Sequence, residues 1–166
     1  MITPGYVQQM AFYSRWMNDG LFAACDQLSD EQRRQNCGAF FKSIHATLNH
    51  LLWADQIWLH RLTGTPAPIS EGIPGSAGQY ESYEELKRER AAFDQVIDEW
   101  ANGIDAASLE GDLSWYSGAV GREITKPRWL LITHMFNHQT HHRGQVHCMV
   151  TGFGVKTADT DLPLMP

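Results

Sequence analysis

Apolar positions recur at helical spacing in four long segments of the chain. Val7, Met10, Ser14, Met17, Leu21, Ala24 and Leu28 step by threes and fours, a single core-facing stripe that predicts a first helix over 4–28. Pro4 suits its first turn, where a missing N–H costs nothing. Ser29 and Gln32 have the spacing of a capping box and predict a short capped turn after it. The second helix is predicted over 39–62, with Phe41, Ile44, Leu48, Leu51, Trp58 and Leu62 as its stripe and Asp55 in the same row. Leu52, Trp53, Ile57 and Leu59 make its other faces apolar too, so several neighbours should bury it.

Residues 63–79 hold four glycines and three prolines and read as a long surface loop. The third helix is predicted over 82–103, opened by Ser82 and Glu85 in capping-box spacing, with Leu86, Phe93, Ile97, Trp100 and Ile104 inward and its acidic residues outward. Over 111–126 the period changes, and Leu113 to Tyr116 and Val120 to Thr125 around Ser117-Gly118 predict a small β-hairpin. The fourth helix is predicted over 127–151, stopped by Gly152 and Gly154. Four such helices make one all-α domain, 1–166, a four-helix bundle with a hairpin insert between helices three and four. The long second link leaves room for crossovers, so a plain up-down-up-down order is not forced.

Composition narrows the partners. The chain has 166 residues, 43% of them hydrophobic, too apolar for a disordered chain. Net charge is −6, and 81–99 alone holds seven acidic residues against three basic ones. No positive field exists to attract nucleic acid or an anionic membrane. Three scattered cysteines, Cys25, Cys37 and Cys148, form neither a disulfide framework nor a C-x-x-C pair. With no signal-peptide pattern and no apolar run of membrane length, the expected setting is the cytoplasm.

Histidine is the unusual residue. Five of the eight, His134, His138, His141, His142 and His147, fall within fourteen residues. On the fourth helix the row Leu131, Met135, His138, His142, Gln145, Met149 is apolar at its ends and polar in its middle. A buried imidazole without a partner costs roughly 1–3 kcal/mol. Two of them at i, i+4 point the same way and reach one atom, so His138 and His142 read as half of a metal site. The third ligand comes from elsewhere, and His45, His50, His60 and Asp55 are the candidates. Depth favours His50, but periodicity on an all-apolar helix does not choose. His141 and Arg143 are expected nearer the surface or just behind the ligands, Arg143 paired with Asp55 or an acidic tail residue or meeting an anionic substrate. Asp55 could instead orient a ligand imidazole. Cys148 and His147, adjacent on one helix, point about 100° apart and make no nucleophile pair.

The segments Thr47-Leu48-Asn49-His50-Leu51-Leu52-Trp53-Ala54-Asp55 and Asn137-His138-Gln139-Thr140-His141-His142-Arg143-Gly144-Gln145 together resemble the DinB/YfiT-like family of small metal-binding bundles. Trp16-Met17-Asn18 and the tail from Gly152 to Asp161 are similar as well. The resemblance implies helices in up-down-down-up order, often a dimer, and a divalent metal held by three histidines, here His50, His138 and His142. Zinc and nickel lead, and iron and manganese also fit. Three neutral ligands leave open positions, the pattern of catalytic rather than structural sites. Related families act as thiol-dependent S-transferases and isomerases or as metal-dependent hydrolases.

The expected function is therefore a metal-dependent enzyme that activates a low-molecular-weight thiol, or water, against a small electrophile. The alternative is a non-enzymatic metal-binding module of a stress response. Asp55, His141, Arg143 and Gln145 are the expected supporting or substrate residues. Leu52, Trp53, Leu59, Phe12 and Phe22, lying beyond single stripes, suggest an apolar patch and a two-fold homodimer.

Overall fold

Each long helix forms where its stripe predicts, and local chemistry sets its ends. The computed structural model describes residues 2–166. Helix α1 spans Pro4–Cys25, with Thr3 capping its start. It stops three residues before the predicted end because Gln27 and Leu28 turn back onto the carbonyls of Ala24 and Cys25. Leu28 still reaches the core from outside the helix. The predicted capping box is present in α2, Asp30–Arg34, where Ser29 and Gln32 satisfy each other's backbone N–H.

Helix α3 runs Ile44–Thr63. The prediction started it at 39, but residues 39–42 form a tight turn with Lys42 in the left-handed region at φ 70°. Ser43 then caps the helix, and Gly64 at φ 81° closes it. Phe41 thus lies before the helix rather than in its stripe. The long loop holds one short helix, α4, Gly72–Ser76. Helix α5 spans Tyr83–Gly103 from an N-cap at Ser82. A 3-10 turn over Ala107–Leu109 leads to the hairpin, β1 Asp112–Ser117 against β2 Arg122–Pro127, antiparallel with Trp115 opposite Ile124. Pro127 ends β2 instead of opening the last helix, and α6 runs Arg128–Gly152. A second 3-10 turn, Leu162–Leu164, lies in the tail.

The described chain is mostly helical. Helices α1 and α3 each pack against both α5 and α6. One apolar cluster joins the end of α1, through Leu21 and Phe22, to the starts of α3 and α5 at Leu48 and Leu86 and the end of α6 at Val146. The other joins the start of α1, at Val7, to the ends of α3 and α5 at Leu62 and Ile97 and the start of α6 at Phe136. Between them every helix turns polar inside: Ser14 and Asn18, Asp55, Arg90 and Asp94, Gln139 and Arg143 are all buried. Leu52, Trp53, Leu59 and Phe22 are also buried, by the chain itself, which leaves half-buried Phe12 as the one partly exposed residue of those expected to form an apolar patch. No described helix is long and apolar enough to cross a membrane.

Candidate metal centre

His138 and His142 face α3 from one turn of α6, as their spacing requires. His50 meets them from the middle of α3. His50 Nε2 lies 3.3 Å from His138 Nε2, and His142 Nε2 lies 3.1 Å from the same atom. The three nitrogens stand within 4.8 Å of one another, and this group could hold a metal ion. Two nitrogens held about 2.1 Å from one ion stand about 3.0 Å apart at a right angle and about 3.4 Å apart at the tetrahedral angle. The observed spacings match that range.

The proton arrangement strengthens the fit. Ser76 Oγ donates to the carbonyl of Ile73, so at 2.7 Å it accepts from His50 Nδ1–H. Gln145 Oε1 accepts from His142 Nδ1–H at 2.8 Å. Both imidazoles therefore carry their proton on Nδ1 and aim an Nε2 lone pair at His138. One N–H on His138 can satisfy only one of them. Nor does a second proton settle there. Burial, then the neighbouring His142 and His50, push the His138 pKa down to about 3, and burial followed by His142 pushes His50 down to about 4. A cation shared by all three answers the conflict.

Local packing explains the positions. Asn49 clips the long loop onto α3, accepting from the Tyr80 backbone N–H at 2.7 Å and donating to its carbonyl. Trp53 Nε1 donates to the Ser70 carbonyl. These two ties carry Ser76 onto His50. Phe41, in the turn before α3, stacks on His50 with centroids 4.0 Å apart and leans over His142 at 5.6 Å. Sequence reasoning missed Ser76 and placed Phe41 in a helix stripe. Neither a serine in a Gly/Pro-rich loop nor an aromatic before a cap carries a signal of the contact it makes.

The other candidates separate cleanly. His45 donates from Nε2 to the Tyr80 carbonyl at 3.0 Å, and His60 donates from Nδ1 to Thr65. Asp55 neither ligates nor orients an imidazole: it pairs with Arg90 Nη1 at 2.6 Å, and Arg90 Nη2 holds Asp94 at 2.7 Å. Burial pushes the Asp55 carboxyl pKa up. Arg143 is not near the surface but 3% exposed, and it forms no ion pair with Asp55 or the tail among the described residues. His141 is exposed and meets Gln145 Nε2 at 3.2 Å, so Gln145 links it to His142. His138 Nδ1 has no partner among the described residues. His147 bonds Thr157 Oγ1 and takes no part with exposed Cys148, while burial pushes the Cys25 thiol up to about 12.

Comparison with known proteins places the chain in a family. The chain is similar to "Protein DinB" of Bacillus subtilis (strain 168), 24% identical over 153 residues, covering 92% of this chain and 88% of that protein. A sequence model described as the DinB family matches residues 1–166, and the chain belongs to that family.

Proposed function

We propose that the chain is a metal-dependent enzyme in which His50, His138 and His142 hold one divalent ion, zinc or nickel first, and a low-molecular-weight thiol, or water, attacks a small electrophile. One observation carries this reading: two imidazole lone pairs, their N–H groups committed to Ser76 and Gln145, converge on a third imidazole nitrogen. When bound, such an ion supplies positive charge that lowers the pKa of a thiol or water beside it toward neutrality.

The chain's own residues do the rest. Ser76 and Gln145 fix the tautomers and ring planes of His50 and His142. The depressed imidazole pKa values keep the donors neutral at pH 7. Phe41 and Trp53 flank His50 on its ring faces and limit water there. No fourth His, Cys, Asp or Glu joins the group among the described residues, which suits a site with coordination positions free for a reactant. The thiol ranks above water on the resemblance to thiol-dependent families.

The reading includes an up-down-down-up four-helix bundle, supported by the way each apolar cluster gathers the start of α1 with the ends of α3 and α5 and the start of α6, and the reverse. It also retains a homodimer in the cytoplasm, with exposed Phe40, Ile69 and Ile73 as the apolar residues available to a second copy. The cover by Phe41 favours one competing reading, a non-enzymatic metal-binding module.

Metal content and turnover, measured together, discriminate. The metal-loaded chain is assayed with several biological thiols against a panel of electrophiles, beside His138→Ala. Conjugation above that control supports the thiol reading. Hydrolysis alone supports water as the nucleophile. Metal bound with neither activity supports the non-enzymatic module, and no metal in the parent under replete conditions removes the proposal.

A further inference from the structure

A line of aromatic side chains runs from the histidine group to an arginine. His134 lies one turn before His138 on α6, and their ring centroids stand 5.7 Å apart. Trp58 of α3 meets His134 edge to face at 5.1 Å, and Trp115 of β1 meets Trp58 in the same way at 5.4 Å. Arg61 ends the line. Its Cζ lies 4.7 Å from the Trp58 ring centroid and 5.8 Å from that of Trp115. His134 is exposed, and Trp58, Arg61 and Trp115 are half-buried, so this is open surface rather than core. Arg61 follows His50 by eleven residues, three helical turns, and so leaves α3 on the same face. Helical side chains lean toward the N-terminus, and the guanidinium comes back over Trp58, about 12 Å along the axis from His50.

This cation is uncompensated. The chain has nineteen acidic residues against thirteen basic ones, yet no ion pair or hydrogen bond engages Arg61 among the described residues. Arg15, Arg34, Arg88 and Arg90 each hold a carboxylate. Burial pulls the Arg61 pKa down, and no neighbouring carboxylate raises it again. The terminal nitrogens of Arg143 are sealed in the core, whereas those of Arg61 are not, so an incoming group can reach them. The two tryptophan rings hold the guanidinium in place and offer a flat apolar wall beside it. A guanidinium fork without an acceptor is matched by a planar carboxylate. No second cation stands close enough to shift it, which suits one negative charge rather than two.

We propose that Arg61, Trp58 and Trp115 form a subsite for the far end of an elongated substrate, whose reacting end lies at the histidine group and whose carboxylate lies on Arg61 roughly 12 Å away. The inference rests on the metal-centred reaction proposed above and names its substrate class: an acid whose anionic end is remote from the reacting atom, with an apolar stretch between them.

Competition binding to the zinc-loaded chain tests it, with ω-mercapto acids of three, eight and eleven carbons, each beside its neutral ω-mercapto alcohol. The sulfur goes to the metal in all of them, so a difference within a pair reports the far end. At eight or eleven carbons the acid should bind about tenfold more tightly than the alcohol. Arg61→Met keeps the stem against the tryptophans and should remove that preference, with zinc content and the affinity for the alcohols unchanged. Arg61→Lys, which keeps the charge but not the fork, should retain part of it. At three carbons, too short to reach Arg61, the two variants and the parent should behave alike. Acids and alcohols that bind equally at every length, or a preference that survives in Arg61→Met, would overturn the subsite. A parent that holds no zinc overturns the metal reading instead. Octanoate against octanol on the metal-free chain, followed by tryptophan fluorescence, then decides the subsite: octanoate should be favoured in the parent and not in Arg61→Met, and equal binding in the parent would overturn it.

Discussion

Two polar assemblies share the middle of this helical core, and they are satisfied in opposite ways. Between α3 and α5, Asp55, Arg90 and Asp94 carry full charges that answer one another directly, with Asn18 donating to both Asp94 oxygens at 3.0 and 3.1 Å. Between α3 and α6, His50, His138 and His142 are neutral and answer one another badly, lone pair against lone pair. The first assembly balances its charges internally, although Asp55 Oδ1, Arg90 Nε and Asn18 Oδ1 have no hydrogen-bond partner among the described residues. The second has no net charge to balance, and its three nitrogens could hold a cation. Polarity in a core is thus no signal of function by itself. What distinguishes the histidine assembly is that its unanswered groups are lone pairs converging on one point, where a single cation would satisfy them.

The contrast is broken hardest by Arg90→Met. It leaves two buried carboxylates without their cation, and breaking a buried pair from one side costs roughly 3–5 kcal/mol. Denaturant unfolding should register that loss with or without metal. A destabilisation near zero would mean that the two ion pairs of Arg90 do not hold the charged layer together.

Metal saturation should act on the other assembly alone. At a free metal concentration a thousand times Kd, the parent gains about 4 kcal/mol. His138→Ala should show almost none of it, whereas Arg90→Met should keep the metal increment on a lower baseline. Thermal melts with and without chelator separate the two. Equal chelator shifts in the parent and His138→Ala would remove His138 from the site.

Smaller effects sharpen the role of the groups behind the ligands. Ser76→Ala and Gln145→Ala each leave a ligand N–H without its acceptor, and metal affinity should fall by about 10–100-fold. Competition titration against a chromophoric chelator reads this directly. An unchanged affinity in both would show that the tautomers are held by other means.

The smallest expected effect is on pH dependence. His50 and His138 have folded pKa values of about 4 and 3, below the ordinary value near 6.5. A group depressed on folding contributes stability above its unfolded pKa and loses it as pH falls toward the folded value. Metal-stripped protein should therefore weaken as pH falls from about 6.5 through about 4 for His50 and on to about 3 for His138. The decline should be shallower in His138→Ala, which has one such group fewer. Parallel slopes would argue against burial of these imidazoles as neutral groups.

How much of this was legible before folding differs residue by residue. His138 and His142 were visible because two side chains four apart on a helix coincide whatever surrounds them. Gln145, three residues on, was visible for the same reason. Asp55 stood out as a carboxylate in an apolar row, but its partners did not, since Arg90 and Asp94 sit in an acidic stretch that looks solvated throughout. Arg143 was misplaced toward the surface because α6 alternates polar and apolar residues on all sides, and hydropathy cannot tell a solvated arginine from one inside a polar layer. Ser76 gave no sign at all.

The chain by itself determined its helices, most of their caps, the hairpin and the half-site on α6, because each depends on residues a few positions apart. The family resemblance pointed to His50 where spacing could not choose it over His45 or His60, and the packing of α3 on α6 brings it to the group; tertiary structure alone decided that Ser76 comes down on it from the long loop. It also decided that Arg90 takes both carboxylates and that Arg143 is buried beneath the tail instead of lying near the surface. These depend on which helix faces which, and at what height. That choice is made by packing the whole core, and no spacing along one segment contains it.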